Sequence, residues 1–136
     1  MGTPRPLSRK QIQDILSRGE PLEGADMRGL DLSEMNFDGA MLAWAKLADA
    51  NLTRCTFRDA DLRNASLWHA ECTGACFDGA QLDEADMDLA IVEGATFKGA
   101  KMRKTILPFP RTSLTRFQDC VKSGAPVSMD RLTRGR

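Results

Sequence analysis

Between Gly24 and Leu52 the large apolar residues return every five positions: Met27, Leu32, Phe37, Leu42, Leu47 and Leu52. Five matches neither the 3.6-residue period of an amphipathic helix nor the two-residue alternation of a half-buried strand. A regular helix rotates the side chain by about 140° over five residues, which scatters these residues around the cylinder. In a regular strand five is odd, so they would alternate between the two faces. A chain that turns a corner after each unit points all of them inward.

Written in fives from Ala25 (ADMRG, LDLSE, MNFDG and onward), the pattern runs to Phe109 as seventeen units without a break in register. The first position is Ala in thirteen units, with Leu30, Met35, Cys55 and Thr105 as the exceptions. The third position is always apolar, and the fourth and fifth are mostly polar or Gly. Phenylalanine sets the size of the coil. Phe37, Phe57, Phe77 and Phe97 hold the third position twenty residues apart, and no other third position is Phe. Four sides of five residues therefore predict a twenty-residue coil whose rings stack in one internal column. The other columns are Met27, Leu47, Leu67, Met87 and Leu107; then Leu32, Leu52, Cys72 and Val92; then Leu42, Leu62, Leu82 and Met102. The small first-position Ala suits a narrow, densely packed interior. Slightly more than four coils, stacked at the inter-strand spacing, predict a rod about 20 Å long.

A stack of coils buries its core only against its neighbours, so its ends need covering. Residues 1–24 read as an N-terminal segment with a helix in SRKQIQDILSRG. Ser8 and Gln11 form a capping box, Ile12, Ile15 and Leu16 make one apolar face, and Gly19 stops the helix. The same amphipathic face suits a partner protein as well as the open end of the coil. Residues 110–136 follow Pro108 and Pro110. Thr112 or Ser113 can cap a second helix whose Leu114, Phe117 and Val121 lie on one face, and Gly124 ends it. The remaining APVSMDRLTRGR reads as a mobile basic tail.

The units ADMRG, ANLTR, ADLRN, AQLDE and ADMDL resemble those of the pentapeptide repeat family. The resemblance covers residues 25–109. It implies a right-handed quadrilateral β-helix, here of about four coils with a short α-helix capping each end, and leaves function open. Some members resemble duplex DNA in shape and charge and bind type II topoisomerases such as gyrase, and in these C-terminal elements join two rods. That implies a possible homodimer through the C-terminal segment. A short helix followed by a compact repeat block is also similar to pentapeptide proteins encoded with bacterial type VI secretion components, which implies an accessory or adaptor there.

Charge narrows these classes. The 136 residues carry 19 basic and 19 acidic side chains, so no strong polyanion or polycation partner is implied. Residues 25–104 hold fourteen acids and nine bases, a net of −5, while residues 105–136 are +4. Duplex DNA carries one charge per about 1.7 Å, so a 20 Å mimic needs roughly a dozen negative charges. The outward fourth positions Asp38, Arg58, Asp78 and Lys98 alternate in sign up one face, as do Arg63, Asp83 and Arg103 on the next, which predicts ion-pair ladders between coils. No apolar run approaches a membrane span, MGTPRPLSRK has no apolar h-region, and Cys55, Cys72, Cys76 and Cys120 have no disulfide or zinc spacing. A cytoplasmic protein with reduced thiols is expected.

Apolar residues in outward positions carry the functional reading. Trp68 and Leu89 lie on the face of units 45–49, 65–69 and 85–89, with His69 at its outer corner. Trp44 stands at the corner leading in and Ile91 just past the corner leading out. Clustered apolar exposure marks an interaction site, and Trp is enriched at hot spots; a terminal segment folding back over them is the competing arrangement. His69, Cys72 and Cys76 do not converge on a metal, because Cys72 points inward and His69 outward. No nucleophile–His–carboxylate set or phosphate loop is present, and a stack this narrow leaves no ligand-sized cavity. The expected role is a non-enzymatic protein-interaction module with a protein partner, no cofactor, and no direct contact with nucleic acid or membrane.

Overall fold

The computed structural model describes residues 6–133. Parallel bridges join residues twenty apart, as in the series Asp26, Lys46, Ser66, Asp86 and Ile106. The chain is a β-helix solenoid. Its hydrogen bonds follow one rule on every side. The third-position N–H donates to the second-position carbonyl of the next coil, as from Met27 to Lys46 at 2.8 Å. The second-position N–H donates back to the first-position carbonyl of the coil before, as from Lys46 to Ala25 at 2.9 Å. The fifth-position N–H donates to the fourth-position carbonyl of the next coil, as from Gly29 to Ala48 at 3.0 Å.

Each unit places its fourth and fifth residues in a turn, so only the second residue bridges and no continuous strand forms among the described residues. The all-β expectation therefore takes the form of single bridges repeated up the stack. The turn forces every fifth residue from Gly24 to Gly99, and Lys104 beyond it, into the left-handed region, ten of them not glycine, with φ between 57 and 63°. That conformation costs about 1–2 kcal/mol for an L-residue.

Inside, the expected columns are present. Phe37, Phe57 and Phe77 stack with ring centroids 5.1 and 5.0 Å apart and planes within 5° of parallel. Phe97 follows 5.0 Å above Phe77, and Phe117 then meets Phe97 edge-on at 5.1 Å and 73°. Phe117 lies twenty residues after Phe97 but belongs to a helix, so the column outlasts the coil. The Cys72 thiol is fully buried within its column, and burial pushes its pKa up. Cys55 fills a first position, donates to the Leu32 carbonyl at 2.9 Å, and is pushed by burial to about 11.

The coil begins one unit earlier than the pattern of Ala-led units suggests. Leu22 is buried and donates to the Met41 carbonyl, and the Gly24 N–H donates to that of Ala43, so residues 20–24 already follow the third- and fifth-position rule. Pro21 fits the second position because no coil lies before it to accept an N–H. Before it stands α1, Arg9–Ser17, with the capping box of Ser8 and Gln11 in place. Ile12 is fully buried, Ile15 and Leu16 partly so, and Ile12 lies twenty residues before Leu32. The Leu7 N–H keeps the ladder rule by donating to the Asp26 carbonyl at 2.9 Å. The Arg9 guanidinium donates to the Asp31 and Ser33 carbonyls at 3.1 and 3.0 Å, two groups that elsewhere pair with a preceding coil.

At the other end a 3₁₀ turn, Arg111–Ser113, leads into α2, Leu114–Ser123, closed by left-handed Gly124. Phe117 is buried and Val121 partly buried, but Leu114, expected on the same face, is left exposed, because the part of the last coil beneath it has no cover. The segment expected as a mobile tail folds back instead. Val127 is buried, accepts from the Gly94 N–H and donates to the Ala95 carbonyl, taking a ladder place with no sequence period to announce it. A last helix, α3, spans Met129–Thr133, and Leu132 within it is buried. The end of the basic tail lies outside the described residues. Among the described residues no helix is long and apolar enough to cross a membrane.

Outside, the ion-pair ladders take a different form. Asp38, Asp78 and Asp83 accept the backbone N–H of Arg58, Lys98 and Arg103 one coil above, at 2.8 to 3.0 Å. Of the expected inter-coil pairs, Arg58 reaches Asp38 at 3.9 Å, whereas Arg63 turns to Asp61 of its own unit at 2.8 Å. A short carboxylate finds the amide one coil away sooner than a long cation does, and a charge-assisted bond to it is strong. Arg28 pairs with Asp26 in the same way, and its guanidinium holds the Asp26 carboxyl down at about 2.

Two stability changes follow. Phe77→Ala should lower unfolding free energy by about 3–5 kcal/mol, a large share of a small domain's total, as read by denaturant unfolding. Arg9→Ala should cost about 1 kcal/mol by removing two hydrogen bonds to carbonyls that water can then reach, and amide exchange should speed up around Leu32 while that around Phe77 keeps its rate.

A candidate docking face

The register places the apolar outward residues. Units 45–49, 65–69 and 85–89 stack on one side, and the ladder adds Ile106 above Asp86. On this side Ala48 lies one coil below Trp68 and Asp88 one coil above. Leu89 stands at the corner directly above His69, and Ile91 begins the next side. Trp68 is 40% exposed, Leu89 56% and Ile91 48%. The Trp68 and His69 rings approach to 5.3 Å at a 37° tilt. His69 Nδ1 lies 2.6 Å from Asp49 Oδ1, so the imidazole is held against the carboxylate one coil below.

Trp44, 65% exposed, occupies the opposite corner of the same side. It lines a shallow cleft with Glu23, Ala43, Asp61, Arg63 and Asn64, and so faces the neighbouring side. The structure thus gathers Trp68, His69, Leu89 and Ile91 around one corner and sets Trp44 apart. Ile106, 52% exposed, lies on the same side one coil beyond Asp86, at the end of that side away from Leu89. The pattern of exposed apolar residues missed it, although its second-position place above Asp86 was available as a signal.

Leu89 and Trp44 are unfavourable twice over. Each exposes a large apolar side chain, and each holds it at left-handed φ, 60° and 63°. Gly or Asn would relieve both terms at either corner. Neither fold stability nor solubility accounts for a leucine or a tryptophan there.

The surroundings of the strip are acidic. Units 65–74 and 85–94 contain Glu71, Asp86, Asp88 and Glu93 and no Lys or Arg. Glu93 Oε2 accepts the Met129 N–H at 2.7 Å, which ties α3 beside this border. Chemically the face offers desolvation of an indole and two aliphatic side chains beside an acidic border, with Lys46 one coil below it.

The family model for pentapeptide repeats matches residues 22–54, 55–94 and 70–107. No curated protein matches the chain. Among solved structures it is similar to alr5209, a pentapeptide repeat protein from Nostoc PCC 7120, at 27% identity over 82% of this chain and 95% of that one, with a TM-score of 0.70. It is similar also to the pentapeptide repeat protein Rfr23 of the cyanobacterium Cyanothece 51142, at 30% identity and a TM-score of 0.61, covering 61% of this chain but only 56% of that one. A pentapeptide repeat protein of the Arabidopsis thaliana thylakoid lumen matches at 25% identity over 77% of this chain and 88% of its own, with a TM-score of 0.54. The matched residues, the five-residue period and the twenty-residue ladder agree, and the chain belongs to the pentapeptide repeat family.

Proposed function

We propose that the protein is a rigid interaction module, binding rather than catalytic, that docks a protein partner through Trp68, Leu89 and Ile91. In this reading the solenoid is a right-handed quadrilateral capped by α1 and α2, and its stiffness holds the docking residues in fixed register. The observation that carries the proposal is Leu89, a leucine kept exposed at a left-handed corner where a smaller residue would relieve strain and exposure together. The acidic border selects the partner's chemistry: an apolar surface flanked by Lys and Arg. Mixed signs on the other faces speak against the DNA-mimic alternative. Asp26, Asp61 and Glu34 are each paired with an Arg, which breaks up a continuous negative stripe.

The test is a capture from source-cell lysate with wild type and with Trp68→Ala/Leu89→Ser. The expected result is a partner retained by wild type, lost by the double variant, and released as salt screens the border. Equal capture by both proteins overturns the proposal. Leu89→Gly separates binding from folding: partner retention should fall, while the unfolding midpoint stays level or rises as up to about 1–2 kcal/mol of left-handed strain is relieved.

A further inference from the structure

The last coil finds backbone partners on only two of its sides, and there only in part: among the described residues the Val92 and Phe97 N–H groups make no hydrogen bond. Val127 continues the ladder above Gly94 and Ala95, and the Gly99 N–H finds the Val121 carbonyl on α2. Residues 100–107 have no such neighbour. Among the described residues no hydrogen bond is made by the N–H groups of Met102, Lys104 and Leu107 or by the carbonyls of Ala100 and Thr105. These are the groups that every earlier coil satisfies with the coil above it. The column ends Met102 and Leu107 are only partly buried, and with Phe109 and Leu114 they line an open cleft of about 710 Å³. Lys101, Arg103 and Lys104 occupy the outward positions of this edge, and residues 100–109 contain no acid.

We propose that this edge takes up a short extended acidic segment of a partner protein, which adds a further partial coil by backbone pairing. The ladder rule states its register. The segment's second residue donates to the Ala100 carbonyl and accepts from Met102, and its fourth accepts from Lys104. Its third residue is apolar and enters the cleft over Met102; its eighth does the same over Leu107. Its second and fourth residues lie over Lys101 and Arg103, so they are Asp or Glu. A second copy of this chain meeting end to end would set Lys101, Arg103 and Lys104 against their own kind, which disfavours it. This site is separate from the Trp68 face, and either proposal can fail alone.

The probe is the peptide N-acetyl-ADLDGATL-amide, with N-acetyl-AKLKGATL-amide as its charge-reversed control, titrated into the full chain labelled with ¹⁵N. The expected result is slowed exchange and shifted resonances at the Met102, Lys104 and Leu107 amides with the acidic peptide and none with the control. Lys101→Glu/Lys104→Glu should weaken the acidic peptide about tenfold, with unchanged resonances in the first three coils reporting an intact fold. No shift at these amides, or equal binding of both peptides, overturns the proposal. Protection that grows with protein concentration in the absence of peptide also overturns it, in favour of a second copy.

Discussion

The second-, third- and fifth-position amides of the coil depend on the coil above or below it, while the first-position amide closes the turn by an i to i−3 bond. Those turn bonds fix only the corner, so the i to i+19 and i to i−21 bonds between coils decide the rest. They align identical positions in columns, which is why four phenylalanines stack within about 10° of parallel and why a small residue, mostly alanine, suits the inner corners. They also export an unmet demand to the ends. The N-terminal end meets part of it with a guanidinium, the C-terminal end part with Val127 and α2, and what remains unmet is a chemical property of the surface.

The corners carry the opposite cost. Left-handed backbone at each fifth position is unfavourable one residue at a time, and it persists because inter-coil bonds and the inward side chains determine it from both directions. Once that geometry is imposed, the fifth-position side chain is free of packing duty and its chemistry can vary. Glu34, Arg54, His69 and Leu89 all adopt the same φ. A strained but uniform corner is thus where this fold has freedom to place function.

The coil, its period and its columns could be read from the chain because each column repeats one kind of residue at one spacing, and the Phe column does so unambiguously. The first unit escaped because Glu20 and Pro21 replace the usual pair while only Leu22 and Gly24 keep the pattern. Arg9 escaped for a different reason: an arginine at the start of a helix reads as solvated charge, and its carbonyl partners on Asp31 and Ser33 are set by three-dimensional closure. Val127 sits in a segment with no period at all. The docking residues could be named from their outward positions, but the separation of Trp44 from Trp68 follows from which corner each occupies.

Ile12 lies twenty residues before Leu32, and Phe117 twenty after Phe97, so both helices deliver a side chain in phase with the coil. The phase has a bearing on how such a chain can lengthen. Inserting one five-residue unit would put the downstream helix out of phase with the twenty-residue repeat and take Phe117 off the phenylalanine column. Inserting twenty would return it to its place. Length in this molecule is therefore quantised in whole coils: only steps of twenty residues keep both terminal helices over their columns.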